Sequence, residues 1–314
     1  MRRRRLAIAA AGLLALGFAA FARPMPLLGG GDPAIRGAAP NYGPGWVSTM
    51  PNAAAIGERI WMPGLDDGYT PQGLAIIGGE FFVSAYWSDK FQVQRGPCRV
   101  FRIDRGSGAE TGRFDVPLPC GHAGGLAYAG GPRLYLSDTN TLFSIDLPRA
   151  LAGLPGAFRK HPYGPGVRGG LAASDAGAIW LGSYREDGPG RLLRFPVSAI
   201  DILPDGATLP AEYSTMQRAI PPRAQGAALD RAGKLWVSSS NCCWGALDRI
   251  DLATGVIERR FDAAAQLEGI AFDESGRLWA GSESGARHFY DQPVVGWFQS
   301  FHPLIFAIDT ARLE

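Results

Sequence analysis

Apolar positions along this chain come in short runs, many alternating with polar residues, and turn-forming residues break the runs at recurring distances. Residues 224–255 are the clearest copy of the underlying unit. They read as GAAL after a glycine, a DRAGK turn, an alternating LWVSS run, a loop, and a second run ending in Ile-Asp before a TG turn. Period-two alternation bounded by Gly, Asp and Lys predicts consecutive antiparallel strands. Equivalent first strands follow as PQGLAI, GGLAY, GGLAA, QGAAL and EGIAF, whose aligned glycines are Gly73, Gly125, Gly170, Gly226 and Gly269. A period of roughly 50 residues with four strands per unit is the pattern of propeller blades.

Second strands recur as FFVSAY, LYLSD, IWLGSY, LWVSSS and LWAGSE, and third strands as RVFRID, TLFSID, RLLRF, ALDRID and LIFAID. The last unit ends without a fourth strand, while ERIWMP at 58–63 lies ahead of the first unit with no partner of its own. The pattern therefore predicts an all-β propeller of five four-stranded blades, closed by an N-terminal strand in the last blade. Such closure removes the free sheet edges. A sixth blade requires a divergent unit inside 196–222; a longer outer loop is the favoured reading of that insert.

Blade topology sorts residues by end. The loops before the first strand and after the second share one mouth of the channel, which brings Gln72, His122, Arg168, Gln225 and Glu268 to the axis. Second-strand ends add Tyr86, Trp87, Asp138, Asn140, Tyr184, Arg185, Asn241, Trp244 and Glu283. Polar groups of both signs beside aromatic rings suit a small-molecule site, although mouth loops of any propeller meet water and are polar for that reason alone.

Composition modifies this picture in three ways. The 43 glycines and 24 prolines suit tight turns between short strands rather than long helices. Four arginines at 2–5, an apolar run over 6–22 and Ala20-Phe21-Ala22 have the layout of a secretory signal, 1–22, with an uncleaved anchor as the alternative. Residues 23–56 read as a linker and 57–314 as one propeller domain. Without the four arginines the formal charge of +2 turns slightly negative, so nothing favours nucleic acid.

Cys98 precedes a third strand and Cys120 follows the adjoining fourth strand, so the two fall at one end of one blade and can pair, as expected in an oxidising compartment. Cys242 and Cys243 are adjacent in the fourth unit's mouth loop, far from the first pair. The expectation is a vicinal disulfide forming a rigid apolar tile; two reduced thiols are the alternative.

No G-x-S-x-G, H-E-x-x-H or C-x-x-C spacing occurs, and of the histidines at 122, 161, 288 and 302 only His122 reaches the mouth. Glu268, Asp138 and Asn241 offer oxygen ligands from three blades, the donor type calcium takes. Through QGAALDRAGKLWVSS and EGIAFDESGRLWAGS the chain resembles the senescence-marker-protein and gluconolactonase family of calcium-dependent propellers. That resemblance implies a channel metal held by Glu, Asn and Asp and hydrolysis of lactones or related esters, but that family has six blades. The chain also resembles secreted bacterial propellers through PQGLAI, HAGGLAY and GARHFY, which implies no activity.

Three functions are therefore expected, in this order. The first is binding of a small molecule or partner at the mouth by Gln72, Tyr86, Trp87, Arg168, Tyr184, Gln225, Trp244 and the Cys242-Cys243 tile. The second is calcium-dependent lactone or ester hydrolysis, with Glu268, Asp138 and Asn241 on the metal and His122 or Glu283 moving the proton. The third is an envelope scaffold that meets other envelope proteins. The protein is expected to be exported and monomeric, touching a membrane only through its N-terminal segment.

Overall fold

The computed structural model describes residues 34–88, 96–292, 296 and 299–314. The signal segment 1–22 and the start of the linker lie outside the described residues. Five sheets follow the chain. Blade 1 is β3 (Tyr69–Ile77), β4 (Glu80–Trp87), β5 (Cys98–Asp104) and β6 (Glu110–Val116). Blade 2 is β7 (Gly125–Ala127), β8 (Arg133–Ser137), β9 (Thr141–Asp146) and β10 (Phe158–Pro162). Blade 3 is β11 (Leu171–Asp175), β12 (Ala178–Gly182), β13 (Gly190–Pro196) and β14 (Met216–Ile220). Blade 4 is β15 (Ala224–Leu229), β16 (Leu235–Ser240), β17 (Gly245–Ile250) and β18 (Ile257–Ala263).

Blade 5 closes the ring. It runs β19 (Leu267–Phe272), β20 (Leu278–Ser282), β21 (Leu304–Ile308) and then β2 (Ile56–Trp61), with β1 (Ile35–Arg36) added outside in parallel. The N-terminal strand thus completes the last blade. Part of the stretch read as a linker is packed: Ile35, Met50 and Ala55 are buried in the core cluster that includes Leu304 and Phe306. These isolated apolar residues lack a sequence periodicity because each plugs a gap beside blade 5. The insert 196–222 holds a short helix α1 (Val197–Asp201), a 3-10 turn (Ala211–Tyr213) and β14, the fourth strand of blade 3. It hides no sixth blade.

Innermost strands β3, β7, β11, β15 and β19 touch one another in sequence around the axis. Glycine makes this approach possible. A Cβ on Gly269 would lie 2.4 Å from the backbone nitrogen of Leu74, and one on Gly73 would lie 2.6 Å from that of Leu126. Blade 3 solves the same problem with its pair exchanged. In blades 2 and 4 the first-strand glycine faces a second-strand serine, Gly125 with Ser137 and Gly226 with Ser238. In blade 3 Leu171 faces Gly182, and the leucine fills the space a Cβ on Gly182 would need. The axial position is therefore Leu171, one residue beyond the aligned Gly170.

Between blades the core is apolar and aromatic, as where Phe81 of blade 1 meets Trp279 of blade 5 with ring centroids 4.7 Å apart. At the base of the blades the turn between first and second strands is built around an aspartate. Asp230 Oδ1 accepts the backbone N–H groups of Ala232 and Lys234, both at 2.9 Å, while Oδ2 accepts Trp236 Nε1 at 3.0 Å. Asp273 does the same for Ser275, Arg277 and Trp279, and Asp175 takes Trp180 Nε1 at 2.9 Å. The repeated D-x-x-G-x-L-W is a side-chain-capped turn that leaves the indole N–H satisfied in the core.

Cys98 and Cys120 form a disulfide with Cα atoms 5.9 Å apart, joining the start of β5 to the chain just beyond β6. Closing that loop stabilises by about 3 kcal/mol in the chain-entropy description. Among the described residues no helix is long and apolar enough to cross a membrane.

Candidate functional site

The chain enters the innermost strands of blades 2, 4 and 5 through residues in the left-handed region that are not glycine: Ala123 (φ 55°), Arg223 (φ 59°) and Gln266 (φ 52°). This conformation is costly for a residue with a Cβ and is held only where the surroundings over-determine it. All three sit at the mouth. The bend at Gln266 is fixed because its N–H donates to Asn241 O at 3.0 Å and its carbonyl accepts Glu283 N–H at 3.1 Å.

These bends deliver a buried polar cluster to the axis. Glu268, on β19, and Glu283, just past the end of β20, lie close enough for the charge of Glu283 to act on Glu268. Gln72 Nε2 from blade 1 donates to Glu283 Oε2 at 2.6 Å, and Gln225 Nε2 from blade 4 donates to Glu268 Oε1 at 2.9 Å. Gln266 adds a side-chain bond to Glu283. Glu268 and Glu283 are 1% and 8% exposed. Burial, which penalises the charged form, lifts both carboxyls well above the ordinary carboxylate range, and the charge of Glu283 raises Glu268 further. Two carboxyls in one site cannot both ionise cheaply, so near neutral pH the pair holds a shared proton.

Around this centre the rim is mixed. Tyr184, on the blade 3 side, is 45% exposed and hydrogen-bonded to Arg223; burial raises its pKa, Arg223 opposes that, and the charges of Glu186 and Glu268 add to it. Arg223 also pairs with Glu186 at 2.8 Å. The Tyr86 ring lies 5.4 Å from that of His122, joining blades 1 and 2, and Arg168 of blade 3 donates to Asn140 of blade 2.

The structure thus brings Gln72, Gln225, Glu268 and Glu283 together, with Tyr184 within electrostatic range of Glu268. Other predicted site residues serve their own loops. Asp138 Oδ1 accepts the backbone N–H groups of His122 at 2.7 Å and Ala123 at 2.9 Å. Asn241 Oδ1 accepts those of Cys243 at 2.9 Å and Trp244 at 3.1 Å. Trp87 Nε1 donates to Asp67 O at 2.9 Å. Cys242 and Cys243 are disulfide-bonded and exposed, and Trp244 beside them is 37% exposed with the Arg260 guanidinium 5.9 Å from its ring.

Gln266 and Arg223 are the mouth residues that sequence reasoning missed. Each lies three positions ahead of its first-strand glycine, the place His122 takes ahead of Gly125, and no sequence signal marks a non-glycine residue for the left-handed region. Calcium takes six to eight oxygens, yet Asp138 and Asn241 spend Oδ1 on backbone donors. Among the described residues the one cluster of three His, Cys or carboxylate side chains is Cys98, Cys120 and Asp138, and its sulfurs are in the disulfide.

No protein-family model and no curated protein matches the chain. Solved structures do. The crystal structure of Myxococcus xanthus glutaminyl cyclase is similar at 16% identity and a TM-score of 0.53, over 81% of this chain and 94% of that one. The PQQ-bound aldose sugar dehydrogenase of Streptomyces coelicolor (18%, TM-score 0.41, 70% and 75%) and virginiamycin B lyase of Staphylococcus aureus (12%, 0.39, 71% and 66%) also match. The shared feature is the β-propeller fold.

Proposed function

We propose that this protein is an exported propeller that binds a small polar molecule at the axial mouth, centred on Glu268 and Glu283. The observation that carries the reading is the buried carboxyl pair itself, to which blades 1, 4 and 5 all contribute. Burying two carboxyls stabilises nothing by itself, since desolvation opposes it. The repeat would be better served by apolar residues there, so the cost points to a site. Export is supported by the disulfides and by the N-terminal arginines and apolar run.

A second reading, proton-transfer catalysis, is favoured by the same pair. A carboxyl and a carboxylate sharing one proton can donate and accept within one turnover. The neighbour with the highest TM-score quoted above is an enzyme, a glutaminyl cyclase, but at that identity the likeness supports the fold and not the reaction.

The test is a melting screen of the full chain against polar metabolites, including sugars, amines and glucono-δ-lactone, with acid release followed for the lactone. A binding ligand is expected to raise Tm, and the rise is expected to vanish in Glu283→Gln and Gln225→Ala. A ligand whose effect survives both substitutions sits elsewhere and overturns the axial assignment. Turnover lost in Glu283→Gln would select the catalytic reading.

A further inference from the structure

The axial carboxyl pair lacks a counter-charge. Its partners are Gln72, Gln225, Gln266 and the pair itself; no described arginine, lysine or histidine is hydrogen-bonded or ion-paired to either group. Other carboxylates of the molecule are handled differently. Glu58 pairs with Arg36 and Arg277, Asp273 with Arg105, and even the fully buried Asp248 has Arg260 at 3.1 Å.

A second observation points the same way. Gln266 is 3% exposed, and its Oε1 is buried with no hydrogen-bond partner. A buried acceptor left unpaired is costly, and native structures rarely retain one without a reason. The axial end of blade 5 therefore carries two buried carboxyls and one unpaired buried amide oxygen, with no described cation hydrogen-bonded or ion-paired to them.

An alkylammonium group matches that inventory. It carries one positive charge and three N–H donors, one for each acceptor. Calcium would want twice as many oxygens or more, and a quaternary ammonium would bring the charge without donors. We propose that the mouth recognises the primary ammonium group of a small-molecule ligand, with Glu268, Glu283 and Gln266 Oε1 each accepting one of its three N–H bonds. The ammonium takes the place of the proton that otherwise holds the carboxyls together. Gln225, bonded to Glu268, is only half-buried, so the site meets solvent on the blade 4 side, where the ring of Tyr184 is exposed.

This inference rests on the reading of the mouth as a ligand site, and the experiment separates the two. The full chain is titrated by calorimetry and melting with 2-phenylethylamine, ethanolamine and putrescine, with the N-acetyl and N,N,N-trimethyl forms of phenylethylamine, with calcium chloride and with neutral sugars. At least one primary amine is expected to bind and raise Tm by a few degrees, while its acetylated and trimethylated forms do not. Affinity is expected to fall about tenfold or more in Glu268→Gln and Glu283→Gln. Gln266→Gly, which keeps the left-handed backbone unstrained, is expected to weaken binding less while the free protein still melts cooperatively. Equal binding of the trimethyl form, a response to calcium that exceeds every amine, or no response to any primary amine each overturns the ammonium assignment. If neutral sugars bind in a Glu283-dependent way while amines do not, the mouth reading stands and this inference alone fails.

Discussion

At the base of blades 3, 4 and 5 an aspartate takes a buried indole N–H: Asp175 with Trp180, Asp230 with Trp236, Asp273 with Trp279. At the mouth of the same blades nothing repeats. Blade 3 offers Tyr184, blade 4 Gln225 and a Cys-Cys-Trp loop, blade 5 two buried glutamates. Each base aspartate holds an indole of its own blade, whereas the blade 5 mouth glutamates are held by glutamines of blades 1 and 4, and Gln266 Oε1 is left unpaired. Repetition marks what the frame needs. Departure from it, at a cost in desolvation and backbone strain, marks where a ligand would repay that cost.

The comparison breaks most severely at a base tryptophan. Trp279 is 1% exposed, stacks near Phe81 and satisfies Asp273. Trp279→Ala is expected to destabilise by about 3–5 kcal/mol, read by chemical denaturation. Part of the loss is the cavity and part the aspartate oxygen left without its donor. A loss below about 1 kcal/mol would show that the repeated turn is decoration and that sequence repetition here does not report the frame.

The frame was the legible part because its chemistry is local. Alternation, D-x-x-G turns and first-strand glycines each state their structure within a few residues, and together they predict the five blades and the closure by ERIWMP. The register of blade 3 was not legible: GGLAA opens with the same GGLA as GGLAY, yet Gly182 opposite lets Leu171 take the axial place. The mouth was legible as a set of positions but not as contacts. Gln72, Gln225, Glu268 and Glu283 were all placed at one end, but their convergence depends on blade-to-blade distances that no local pattern encodes. A carboxylate or amide oxygen reads the same in sequence whether it faces a cation or its own backbone, so the backbone donors that Asp138 and Asn241 hold were not legible either.

A smaller effect sharpens the contrast through pH. Glu283 is pushed up to about 8 by burial, so between its ordinary range near 4.5 and that value the folded chain holds a proton that the unfolded chain has lost. Stability therefore falls as pH rises through this window. His302 acts in the opposite sense lower down: burial holds it at about 4, so its contribution is present above about 6.5 and is lost as pH falls toward 4. Between pH 6.5 and 8 the carboxyl pair acts alone of these two. Stability is expected to drop there by about 1–2 kcal/mol or more in the natural protein and to stay level once both carboxyls are replaced, in Glu268→Gln with Glu283→Gln, measured by denaturant midpoints. A natural protein as flat as the variant would mean the pair is solvated and is no special site.

The smallest effect is expected at the Cys242–Cys243 tile. Its ring spans a single peptide bond, with Cα atoms 3.8 Å apart, so it removes almost no freedom from the unfolded chain, and both residues are exposed. The loop has other fixings, since Asn241 Oδ1 holds the N–H groups of Cys243 and Trp244. Replacing both cysteines by serine is expected to change stability by less than about 0.5 kcal/mol, and thiol titration of the denatured, unreduced protein is expected to find none free. If the tile is a contact surface for the ligand, the same double variant weakens binding at unchanged stability, which is the signature of a mouth residue. A stability loss above about 1 kcal/mol would instead place this loop with the frame and move the boundary between the two ends of blade 4.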